Sequence, residues 1–165
     1  VAGYVKLAKL WEKNRIQALA YQRNYYFHKY SVNDDFILYD VYVDITGQKQ
    51  IYKRSEMVRL LKDCADGKIN CIASQTKAYL AANGQEFCYF LKLLWELNPE
   101  MEVITEDDNY HIDTIKNVED QKQALKKMSD DFIRLDNKAY QNWKKKIMAK
   151  IDAAGGRESE GVYGN

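Results

Sequence analysis

The stretch Ser55-Glu56-Met57-Val58-Arg59-Leu60-Leu61-Lys62-Asp63-Cys64-Ala65-Asp66-Gly67-Lys68-Ile69-Asn70-Cys71-Ile72-Ala73 changes its hydrophobic period part-way along. Met57, Leu60, Leu61 and Cys64 recur at helical spacing, which predicts a helix over 55–65 with Ser55 as its N-cap. Asp66-Gly67-Lys68 reads as a turn, and the apolar run Ile69 to Ala73 reads as a strand. A helix that returns the chain into a short apolar strand is half of a strand–helix–strand unit.

The same alternation extends in both directions. Upstream, Val1 to Leu7 and Phe36 to Val43 (FILYDVYV) read as strands, the second rich in aromatic and β-branched residues. Lys9 to Tyr30 between them reads as a long polar-aromatic helix. Downstream, residues 83–97 place Phe87, Phe90, Leu91 and Leu94 on one helical face, and Pro99 closes that helix before a fourth strand at Met101 to Thr105. The alternation predicts an α/β fold with a mostly parallel sheet of four to five strands flanked by helices.

Beyond a polar loop at Asp107, Asp108 and Asn109 the pattern becomes helical, from about Asn117 to Ile151. Leu125, Met128, Phe132 and Leu135 follow a three-then-four spacing, and Ala139, Trp143, Ile147 and Ile151 continue it at steps of four. Two arrangements satisfy this stripe. One is a long helix that buries it against a dimer partner; the other is a helical pair folded back on the domain and broken at Asp136-Asn137. The sequence therefore divides into an α/β domain (1–116), a helical region (117–152) and a Gly-rich polar tail (153–165) expected to be flexible.

Composition narrows the function classes. A 165-residue chain with 46% apolar residues can bury one core, and no apolar run is long enough to span a membrane. The net charge of +1 implies no partner, so any nucleic-acid contact must come from a local patch. Cys64, Cys71 and Cys88 lack metal-ligand spacing, and His28 and His111 are isolated, so no metal site is expected. Buried reduced thiols and the absence of a secretory segment point to a cytoplasmic chain. No Gly-rich phosphate loop is present, and no cofactor is expected. Tyrosines such as Tyr25, Tyr26 and Tyr30 alternate with charged residues and read as cover for a core.

Several short segments, in order, resemble one family. Gly3-Tyr4-Val5-Lys6-Leu7-Ala8 resembles the first strand of serine recombinases (resolvase/invertase type), whose pattern is Tyr-x-Arg-Val-Ser. Gln22-Arg23 falls where that family has Gln-Arg in its first helix. Tyr42-Val43-Asp44-Ile45-Thr46-Gly47 resembles its strand-end Asp and Ser/Thr-Gly turn, and Lys53-Arg54-Ser55-Glu56-Met57 its Lys-Arg-Pro helix entry. Leu60 to Ile69 is similar to its Leu-Leu-x-Asp-x-x-x-Gly-Lys-Ile. The resemblance covers roughly the first 110 residues and implies a resolvase-like fold with a dimerisation-type helical region at the C-terminus.

It also implies a chemistry: a serine attacks a DNA phosphodiester while clustered arginines hold the phosphate. At the family-equivalent positions this chain has Lys6 for the first arginine and Ala8 for the serine. Ala78, Tyr79 and Ala82 stand at the later arginine motif, and no arginine occurs between Arg59 and Arg134. Only Asp44 and Arg54 match, and they read either as a remnant phosphate site or as a capping Asp with Arg54 paired to it. The expectation is a domain that no longer cuts DNA and acts as a DNA-associated or dimerisation module, as a homodimer or beside an active recombinase. Lys138, Lys144, Lys145, Lys146 and Lys150 form its one basic cluster and are the candidate phosphate contacts, or else a solvated face. Two other readings stay open: an active enzyme using Ser74 or Thr76 as nucleophile, and a protein-interaction scaffold without DNA.

Overall fold

In the computed structural model, which describes residues 1–32, 34–106 and 118–163, four strands form one sheet: β1 (Ala2–Leu7), β2 (Asp40–Ile45), β3 (Cys71–Ser74) and β4 (Glu102–Thr105). The order is β2-β1-β3-β4, and every neighbouring pair is parallel. Side chains alternate across it as a pleat requires. Tyr4, Tyr42 and Ile72 belong to the core on one face, whereas Val5, Val41, Val43, Cys71 and Ala73 belong to the core on the other.

The second of these cores is covered by α1 (Arg15–Ser31), whose Tyr26 and Tyr30 are almost completely buried. The helix is shorter than the sequence implied, because Lys9–Asn14 winds as a 3-10 helix with no buried residue. Gly3 makes the close approach possible: a Cβ there would lie 2.7 Å from Tyr26 Cδ1. Gly3→Ala is expected to cost about 1–3 kcal/mol by overpacking, measured as a fall in the urea midpoint with unchanged slope.

On the opposite face lie α2 (Ser55–Ala65) and α4 (Gly84–Leu97), preceded by the single-turn α3 (Lys77–Leu80). Helix α2 ends as the Gly67 signal implied. Gly67 has φ +76°, its N–H donates to Cys64 O, and Lys68 N–H donates to Asp63 O. Phe90, Leu91, Leu93 and Leu94 of α4 are fully buried, because α4 packs among α2, α3, α5 and α6 within the core on this face.

Those outer helices are α5 (Val118–Arg134) and α6 (Asn137–Tyr163). The C-terminal region is thus the folded-back pair, not one continuous helix. Its break falls at Leu135 and Asp136, where Asp136 Oδ1 accepts from Ala139 N–H and caps α6. Ile133, Tyr140, Trp143, Ile147 and Ile151 complete the same core as α2 and α4, so the second half of the stripe is covered from within the chain, whereas Met128, Phe132 and Leu135 of the first half are exposed.

Three further differences from the sequence reading concern element boundaries. The second strand starts at Asp40, because Phe36 to Tyr39 run across the bottom of β1: Val1 N donates to Ile37 O, and Tyr39 N to Val1 O. The third strand starts at Cys71 rather than Ile69, and the four strands observed fall within the four to five expected. The expected flexible tail is helical from Ala153 to Tyr163, since a helix already under way extends without a new nucleation step. Gly155 suits close packing there, a Cβ meeting Lys62 Cε at 3.0 Å. The loop at Asp107, Asp108 and Asn109, His111 and residues 164–165 lie outside the described residues. Cys64, Cys71 and Cys88 are free and buried, and burial pushes the Cys64 and Cys71 thiols up to about 12.

Candidate functional site

Parallel pairing sets Lys6 of β1 beside Asp44 of β2, on the sheet face that carries Tyr4 and Tyr42. Past Lys6 the chain leaves the sheet at Ala8, which is exposed, extended (φ −63°, ψ 151°) and without a polar side-chain atom. At this carboxyl edge of the sheet Lys6, Ala8, Asp44 and Arg54 come together.

Asp44 is buried and works as a cap in trans. Its Oδ1 accepts from Glu56 N–H at 3.0 Å and its Oδ2 from Met57 N–H at 2.9 Å, at the start of α2. Oδ2 also accepts from Tyr4 Oη at 2.8 Å. Ser55, the expected N-cap, makes no capping bond; a carboxylate from the neighbouring strand fills that place and also complements the helix dipole. Burial, reinforced by the Asp44 carboxylate, raises the Tyr4 phenol well above its ordinary range, so it stays protonated and donates.

Arg54 is 1% exposed, and among the described residues no ion pair joins it to Asp44. Its guanidinium instead donates to three backbone carbonyls: Nε to Gln48 O at 3.2 Å, Nη1 to Tyr79 O at 2.6 Å and Nη2 to Lys49 O at 2.6 Å. A fork of fixed N–H directions suits that task, since it closes the 48–54 loop and ties α3 to it. Lys6 is a second cation at this edge, with Lys49 near enough to act on its charge. Burial and the Arg54 guanidinium hold the Lys6 ammonium below the ordinary lysine value, against the opposing pull of Asp44.

Tyr79 reaches this cluster only through its carbonyl, while Ala78 and Ala82 are exposed and bring no polar side-chain atom. Sequence reasoning missed the role of Tyr4. It also missed Glu86, a buried carboxylate that accepts from Ala82 N–H at 3.0 Å and Trp143 Nε1 at 3.1 Å. The Asn83-x-x-Glu86 spacing at a helix start was the available signal for Glu86; a lone strand tyrosine gives none.

No protein-family model matches the chain, and no curated protein matches it. Solved structures do. The N-terminal catalytic domain of TP901-1 integrase superposes with a TM-score of 0.56 at 14% identity, covering 82% of this chain and 97% of that one. The chain has the serine recombinase catalytic-domain fold. The C-terminal catalytic domain of ISC1926 TnpA, an IS607-like serine recombinase, is a weaker match, with a TM-score of 0.44 at 14% identity over 64% of this chain and 68% of that one.

Within this recombinase fold the two alternative nucleophiles have other work. Ser74 is 2% exposed and its hydroxyl donates to Tyr4 O at 2.8 Å. Thr76 is the N-cap of α3, its Oγ1 accepting from Ala78 N–H at 3.3 Å. The lysines of α6 divide similarly. Lys144 is drawn to Glu96 of α4, and Lys146 lies 5.6 Å from the Tyr52 ring centroid. Lys138, Lys145 and Lys150 are exposed. Consecutive lysines a hundred degrees apart cannot share one face, and here they do not. Among the described residues no group of three or more His, Cys, Asp or Glu could hold a metal, and no helix is long and apolar enough to cross a membrane.

Proposed function

We propose that this chain is a recombinase-fold domain that does not cut DNA and serves as a DNA-associated or dimerisation module. One observation carries the reading. At the edge where Lys6, Ala8, Asp44 and Arg54 meet, the nucleophile position offers no oxygen, and both matching residues are bound into the fold by Tyr4, α2 and three carbonyls. An arginine that already saturates backbone acceptors, without a second arginine beside it, is a poor cradle for a transferring phosphoryl group. In this reading residues 1–116 are the recombinase-like unit, and residues 117–152 carry contacts to DNA or to a second recombinase-like chain.

The DNA contact would run along α6. Lys138 with Lys145, and Lys146 with Lys150, lie two turns and one turn apart, so each pair shares a face and can follow a phosphate backbone. Binding of that kind is weak, indifferent to sequence and steeply salt-dependent. Anisotropy of a labelled duplex at low and moderate salt, with sedimentation of the same samples, tests it. Salt-sensitive binding that falls in Lys145→Ala supports the module; no binding at low salt removes DNA from it. A second reading, a protein-interaction scaffold, is favoured by the exposed Met128 and Phe132 of α5 and by Leu135 just after it, the last 85% exposed, and predicts self-association without DNA.

The loss of cleavage has its own test. Supercoiled plasmid incubated with the protein and denatured in detergent is expected to yield neither nicked product nor a covalent protein–DNA adduct. An adduct that vanishes in Ser74→Ala or Thr76→Ala would establish an active enzyme with a relocated nucleophile.

A further inference from the structure

We infer that the cavity between α5 and the α3–α4 segment is a binding site for a small amphipathic acid, an alkyl chain bearing one carboxylate. The cavity holds about 670 Å³, within the range of small-molecule sites. Leu125, Met128 and Phe132 of α5 line one part of it, and Ala78, Ala81 and Ala82 line another. Side chains that stop at Cβ leave space that bulkier residues would fill. Its described lining residues include none of Lys6, Ala8, Asp44 and Arg54 and no residue of α6, so the site is independent of the proposed contact to DNA.

Two features select the ligand. The first is an apolar wall on which Met128 and Phe132 are still 44% and 40% exposed. An alkyl chain laid against them would remove that surface from water, and the unbranched methionine side chain adapts to the shape it meets. The second is charge. Among the described lining residues Lys77 alone is charged, and its ammonium lies 5.7 Å from the ring centroid of Phe87, which lines the same cavity. A cation held over the apolar wall by that ring favours a negative head group and repels a positive one. Lysine presents one point charge rather than a fork, so a single carboxylate balances it. Gly84 and Gln85, the first residues of α4, also line the cavity, and a helix start adds to the preference for an anion.

The test titrates the whole protein, labelled with carbon-13 at its methionine methyl groups, with octanoate, octanol and octylammonium at neutral pH. The Met128 methyl is expected to shift saturably with octanoate, while those of Met57 and Met101, both buried in the core, stay in place. Octanoate should bind about fivefold more tightly than octanol, and octylammonium more weakly than either. Lys77→Gln should erase the advantage of the acid and leave the affinity for the alcohol unchanged, a result that loss of folding cannot mimic. Ala82→Phe, at an exposed position, should abolish binding of both and keep the parent's melting temperature. Sedimentation of the same samples identifies a competing occupant: a dimer that excludes octanoate would give the cavity to a second copy and overturn the inference. It also falls if the Met128 methyl does not move saturably, if acid and alcohol bind alike, if Lys77→Gln leaves the acid's advantage intact, or if Ala82→Phe still binds.

Discussion

Arg54→Met is expected to destabilise the fold by about 3 kcal/mol or more, read from the urea midpoint. Methionine keeps most of the side-chain stem and therefore most of the packing. What disappears is the set of charge-assisted bonds to the carbonyls of Gln48, Lys49 and Tyr79. Each is of a class worth about 1.5–3 kcal/mol, and each leaves behind an acceptor in a region where Arg54 itself is 1% exposed. Arg54→Lys should recover only part of the loss, because one ammonium cannot reproduce the directions of the fork. Hydrogen exchange should accelerate over residues 48–54 and around Tyr79 in both variants. A midpoint for Arg54→Met close to the parent's would mean that the guanidinium is not structural, and would restore it as a candidate phosphate ligand.

Asp44→Ala is expected to cost a similar amount, about 3 kcal/mol, for a different reason. It removes a cap that serves two N–H groups at the start of α2 and orphans the buried Tyr4 hydroxyl. Loss of a helix cap alone costs about 0.5–2 kcal/mol, and an unsatisfied buried hydroxyl adds about 1–3 kcal/mol. The second contribution can be isolated. Adding Tyr4→Phe to Asp44→Ala should restore some stability, because it deletes the orphaned group, whereas Tyr4→Phe alone should destabilise. Additive losses in the double variant would show that Tyr4 and Asp44 do not act together.

Both variants concern residues that the sequence singled out, with a capping Asp44 among its readings, yet the helix that Asp44 caps and the carbonyls that Arg54 engages were not foreseen. The strands and the turn at Gly67 were readable because period and punctuation are local properties, and the parallel sheet followed from their alternation with helices. The capping of α2 was misplaced by a residue type rule: Ser55 looked like a cap, but the carboxylate of Asp44 arrives from the neighbouring strand, a relation without any sequence spacing to mark it. Arg54 likewise engages carbonyls, and backbone acceptors leave no trace in side-chain identity. The helical pair was one of two readings of a single apolar stripe, since periodicity says which residues are buried and not whether the covering surface belongs to the same chain. The lysine run gave a correct warning about geometry, but Glu96 and Tyr52, which hold Lys144 and Lys146, lie far away in sequence.

Helix α6 has a consequence for how the chain is made. Tyr140, Trp143, Ile147 and Ile151 close a core whose other walls are laid down by residues 4–101. A ribosome delivers those walls first, and at about 5–20 residues per second the interval before α6 emerges is on the order of seconds. For that time the buried apolar residues of α4 lack part of their outer cover, so the nascent domain passes through a sticky, half-closed stage in which a chaperone, or the same helix of a neighbouring polysome product, can occupy the place of α6.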